Sequence, residues 1–132
     1  MREPIRDRER LQHILDAADF IREQMQHVDF ESFMENKLLY GAVVYYTMVM
    51  GEAANKLTRE FVIQHPETPW QSIANMRHHL VHGYYQVDIK VVWEVVQNDI
   101  PVLRNQVARY LAETDWSAWE QKTFDYSTGR FK

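Results

Sequence analysis

Residues able to do acid–base and anion chemistry concentrate in one stretch, Met76-Arg77-His78-His79-Leu80-Val81-His82-Gly83-Tyr84-Tyr85. Three of the six histidines lie there beside Arg77, and no acid stands between Glu67 and Asp88. His13, His27 and His65 are single. Three chemistries fit the cluster. Its cations could complement the negative end of a helix dipole. His78 and His82, four residues apart, could share a helix face and hold zinc, nickel or copper, for which imidazole is a good ligand. Against metal stand the absence of an acidic third ligand in the segment and the repulsion of Arg77.

The third chemistry is cleavage of an RNA phosphodiester. RNA carries its own 2′-hydroxyl nucleophile, so three services suffice: a base for that proton, an acid for the 5′-oxygen, and a cation to steady the transition state. Histidine suits both proton roles because it titrates near neutrality. Arginine stays charged and offers a planar fork to phosphate oxygens. Such a reaction requires no metal. On an ideal helix, Arg77 and His82 would sit about 140° and about 7.5 Å apart. They converge if the helix unwinds near His82, as Gly83 permits, or if two chains share one site. A symmetric dimer supplies two histidines, a base and an acid. In extended chain after Gly83, Tyr84 would point the same way as His82.

The elements that must position this cluster read as helices. Leu11, Ile14, Leu15, Ala18, Ile21 and Met25 follow helical spacing. A turn near His27–Phe30 follows, with Asp29 or Ser32 as the next cap. One long helix is predicted over about 33–64, with Leu39, Ala42, Val43, Tyr46, Met50, Ala53, Leu57 and Phe61 on its stripe. The run His65-Pro66-Glu67-Thr68-Pro69 breaks it. Thr68 as N-cap, Pro69 at the first helical position and Gln71 in a capping box predict a third helix to about His82, ended by Gly83. Asp88 caps a fourth helix through Val91–Val96, where β-branched residues also suit a strand but the caps favour helix. Asp99 and Pro101 restart a fifth.

The expected architecture is an all-α, up-and-down bundle of four to five helices, forming a symmetric dimer. Residues 1–112 would make the domain. Residues 113–132 would be an aromatic-rich tail, with Trp116, Trp119, Phe124, Tyr126 and Phe131 docked on the domain or a partner. The 132-residue length fits one domain. Cysteine is absent, which excludes disulfide scaffolds and thiol chemistry. With net charge −4 no global basic field marks a nucleic-acid binder, so any RNA contact is local. The charged start, Met1-Arg2-Glu3-Pro4-Ile5-Arg6, is unlike a signal peptide, and no apolar run reaches membrane-spanning length. A soluble, cytoplasmic protein is expected.

Arg77-x-x-x-x-His82-x-Tyr84 resembles the R-x4-H-x-Y signature of the HepT-like branch of the HEPN superfamily. The likeness continues through Gly51-Glu52-Ala53-Ala54-Asn55-Lys56-Leu57, Pro69-Trp70, Val92-Trp93 and Asn98-Asp99-Ile100-Pro101, and covers roughly residues 5–112. The resemblance implies an all-α toxin of a toxin–antitoxin module that dimerises around two R-x4-H motifs and cleaves RNA without metal. Its partner would be an MNT-type nucleotidyltransferase antitoxin that uses ATP and Mg²⁺ to AMPylate the motif tyrosine. Carried over, Arg77 and His82 are catalytic and Tyr84 is the AMPylation acceptor. His78, where a polar Asn or Asp is common, would add a proton carrier or orient phosphate. Glu52 would fix the motif arginine, or else serve as a solvated or packing acid. The alternative function is a non-catalytic module that docks a nucleotidyltransferase or nucleotide.

Overall fold

The structure, a computed structural model, describes residues 6–82, 86–121, 124–125 and 130–131. Helix α1 (Asp7–Gln24) buries Leu11, Ile14, Ala18 and Ile21, the stripe its spacing predicts. It lies along α3 (Lys37–Asn55) and along the late helix α8 (Ile100–Glu113), and this trio forms the centre of an all-α bundle. Between α1 and α3, the short α2 (Phe30–Glu35) is capped by Asp29, whose carboxylate accepts from Ser32 N at 2.8 Å.

The single helix predicted over 33–64 is instead three: α2, α3 and α4 (Arg59–Gln64). Each break carries a short polar side chain that bonds to backbone and so competes with helix. Asn36 accepts from Leu39 N at 3.1 Å and starts α3. Thr58 accepts from Phe61 N at 3.3 Å and starts α4. Thr58 is itself held from afar, because the buried Asp7 carboxylate accepts from its N–H (2.8 Å) and its hydroxyl (2.7 Å).

The third predicted helix also divides, into α5 (Trp70–Ala74) and α6 (Met76–Leu80). Thr68 does not cap it. Its hydroxyl is buried, donating to Gln106 Oε1 at 2.8 Å and pairing with the Tyr110 hydroxyl, so tertiary partners outcompete the capping box. Pro69 accordingly takes the cap position rather than the first turn.

Asp88 does cap α7 (Ile89–Glu94), accepting from Val91 N at 3.3 Å. The expected restart at Asp99 is absent: α7 passes through one wide π turn (Val95–Asp99) straight into α8. Pro101 has no N–H for the Gln97 carbonyl and its ring would crowd that oxygen, and the π turn accommodates both. The chain beyond 112 adds α9 (Trp116–Glu120), which buries Trp116 and Trp119. Trp119 Nε1 donates to Asp7 Oδ2 at 2.9 Å, tying α9 to the start of α1. Both indoles surround Phe61, at 6.1 and 5.6 Å between centroids. Two short antiparallel strand pairs complete the fold: β1 (Val81–His82) with β2 (Gln86–Val87), and β3 (Phe124–Asp125) with β4 (Arg130–Phe131), which brings β4 against α4.

Candidate active site

The cluster's platform rests on close helix contact. At Gly51 of α3 an added Cβ would lie 2.9 Å from Ile73 O and 3.3 Å from Ala74 O, so α5 lies backbone-close on α3. Met76 and Leu80, one turn apart, are buried and anchor α6. The intervening Arg77, His78 and His79 therefore face outward. Helix ends at Leu80, earlier than predicted, because Val81 turns to φ −128°, ψ 124°.

From there β1 (Val81–His82) pairs antiparallel with β2 (Gln86–Val87), and Asp88 N donates to Leu80 O at 2.8 Å. This closure brings Asp88 to His82, with Oδ2 3.4 Å from Nε2. The other Asp88 oxygen serves the α7 cap. One carboxylate thus joins a helix start to a histidine six residues earlier. Asp88 is legible in the sequence only as a cap; its place beside His82 depends on strand register.

Arg77 is exposed and has neither hydrogen bond nor ion pair among the described residues. His82 is on the same helix-to-strand junction, its side chain 59% exposed. His78 lies on α6 and His82 on β1, so the helical i, i+4 pair imagined for a metal does not form. Among the described residues, no three His, Asp or Glu side chains are grouped to hold a metal ion. Glu52 is exposed on α3 and makes no ion pair with Arg77; it lines a groove with Arg10 and Lys56. Tyr84 and Gly83 lie outside the described residues.

On its other side, α6 contributes Met76 and His79 to a groove of about 540 Å³ shared with Val95 and Asp99 of the π turn. The loop delivering the chain to α5 is held on α8 by Glu67. Its carboxylate accepts from the Tyr110 hydroxyl at 2.8 Å and from Arg109 at 3.1 Å. A backbone hydrogen bond and then the Tyr110 bond hold Glu67 below the usual carboxylate range, while burial pushes Tyr110 above the usual phenol value.

The fold and junction together define a class: an all-α protein whose α6–β1 junction presents an exposed arginine, with no ion pair among the described residues, and a histidine beside a carboxylate. The chain belongs to the ribonuclease HepT-like family, whose pattern matches residues 14–110. It is 37% identical over 101 residues to a candidate RNase of Caldanaerobacter subterraneus subsp. tengcongensis, covering 76% of this chain and 90% of that one. It is 36% identical over 96 residues to a protein named probable ribonuclease HepT of Thermococcus cleftensis, covering 73% and 87%. A candidate RNase of Methanocaldococcus jannaschii is 31% identical over 105 residues, covering 80% and 87%. No solved structure matches. No helix among the described residues is long and apolar enough to cross a membrane.

Proposed function

We propose that this chain is a metal-independent endoribonuclease, the toxin of a HEPN/MNT toxin–antitoxin module acting in the cytoplasm. The observation that carries the reading is the junction itself: an exposed Arg77 with no ion pair among the described residues, and a His82 backed by Asp88. With its Nε2 proton donated toward Asp88, the His82 ring keeps Nδ1 free to accept the 2′-hydroxyl proton. Arg77 holds the scissile phosphate and offsets charge in the transition state. His78, exposed next to it, orients phosphate.

One His82 cannot be both base and acid in the same step, so a second copy supplies the other proton carrier in a shared cleft. Support for self-association comes from exposed apolar side chains, Met34 at 46% and Leu38 at 89%, around the start of α3. Tyr84 is the acceptor of AMP from an MNT-type nucleotidyltransferase that uses ATP and Mg²⁺. The added phosphodiester and nucleotide would occupy Arg77 and exclude RNA.

The test is the protein purified without a partner, incubated with total RNA in excess EDTA, wild type beside His82→Ala. Cleavage by wild type alone supports the reading. Intact RNA in both transfers the role to a module that docks a nucleotidyltransferase or nucleotide without cleaving.

A further inference from the structure

Arginines of the described residues differ in whether an acid faces them. Arg104 is neutralised by Asp19 at 2.8 Å and Arg109 by Glu67 at 3.1 Å. Among the described residues Arg10 has no acid partner, and its buried Nε has no hydrogen-bond partner. The guanidinium is thus held in place by packing of its stem, with no carboxylate among the described residues to neutralise it.

Arg10 lines a groove of about 340 Å³ between α1 and the second half of α3. His13, one turn further along α1, and Lys56, at the C-cap of α3, line it too. None of the three forms an ion pair among the described residues, although Glu52, the groove's one carboxylate, is beside them. At the rim stands Tyr45, 58% exposed and packed edge-on against Tyr46 at 5.1 Å. Arg10 and Lys56, with the His13 ring beside them and an open aromatic face, match the way single strands are held, by phosphate contacts and base stacking.

We infer that this groove is a second RNA-contacting surface, in which Arg10, Lys56 and His13 take phosphates of a single strand and Tyr45 stacks a base. The inference rests on the ribonuclease reading and adds where a chain of net charge −4 grips its substrate. Polyanion recognition is local here: these cations share one groove and form no ion pair among the described residues, whereas Arg104 and Arg109 do.

The test measures fluorescence anisotropy of a short 2′-O-methyl RNA, which keeps the phosphates but lacks the nucleophile, over a range of salt. Arg10→Gln with Lys56→Gln should weaken binding roughly tenfold at physiological salt and flatten the salt slope by about 1.4, since each lost single-strand phosphate contact removes about 0.7. Because Arg10 is partly buried, the exposed pair Lys56→Gln and His13→Gln is measured beside it, with thermal melting as the folding control. Unchanged affinity, or weaker affinity with an unchanged salt slope, overturns the surface while leaving RNA cleavage by wild type intact. Failure of the wild type both to bind the probe and to cleave RNA would sink the ribonuclease reading itself. A change in sedimentation instead of RNA affinity would make the groove a contact between copies and overturn the inference.

Discussion

Two glycines of one helix should respond oppositely to the same substitution. Gly41 and Gly51 both lie in α3, where replacing Gly by Ala gains up to about 1 kcal/mol of helix propensity. An added methyl at Gly41 meets nothing within 4 Å, so Gly41→Ala keeps that gain. At Gly51 the methyl arrives 2.9 Å from Ile73 O and 3.3 Å from Ala74 O, both backbone atoms that yield only if α5 moves. Overpacking of that kind costs about 2 kcal/mol, which leaves Gly51→Ala about 1 kcal/mol less stable than wild type. The two variants should therefore differ by about 2 kcal/mol, or roughly 6–10 °C in Tm for a chain this size. Urea unfolding followed by circular dichroism measures both. Displacing α5 also disturbs the platform of Arg77, so Gly51→Ala should lose RNA cleavage while Gly41→Ala retains it. A Gly51→Ala protein as stable as Gly41→Ala would refute the close α3–α5 approach and the positioning argument built on it.

The remaining predictions concern the junction and the buried polar contacts. Asp88→Asn keeps a side chain able to cap α7 but removes the charge facing His82, so cleavage should fall about 10- to 100-fold with little change in Tm; an unaltered rate would remove Asp88 from the site. Arg77→Ala or His82→Ala should each lower cleavage by at least about 100-fold, read on total RNA. Asp7→Ala removes the shared acceptor of three donors, Thr58 N, Thr58 Oγ1 and Trp119 Nε1, and should cost about 3 kcal/mol in urea unfolding. The Tyr110 phenol is raised in the fold, so the unfolded chain ionises first and stability should drop as pH climbs above the usual phenol range; Tyr110→Phe should abolish that alkaline loss. Glu67 is lowered, so its contribution is present above the usual carboxylate range and should vanish as pH falls through its folded value, a dependence that Glu67→Gln removes.

Read as sequence alone, the chain already determined its class. The spacing of Leu11, Ile14, Ala18 and Ile21 marks α1, Asp29 and Asp88 mark helix starts, and Arg77-x4-His82 carries the proposed chemistry. These signals are short-range: a helix face repeats within one turn, and a cap bonds three residues on. Tertiary structure decided what depends on distant partners. Thr58 ends the run from α3 partly because Asp7, 51 residues away, holds it, and Thr68 gives up its predicted cap for Tyr110, 42 residues away. Trp119 reaches Asp7 across 112 residues. The pairing of His82 with Asp88 needed a strand register that neither residue encodes locally. Periodicity and capping specify which segments are helical; hydrogen bonds between remote polar groups, satisfied only when the bundle closes, decide where those helices stop and which side chains meet.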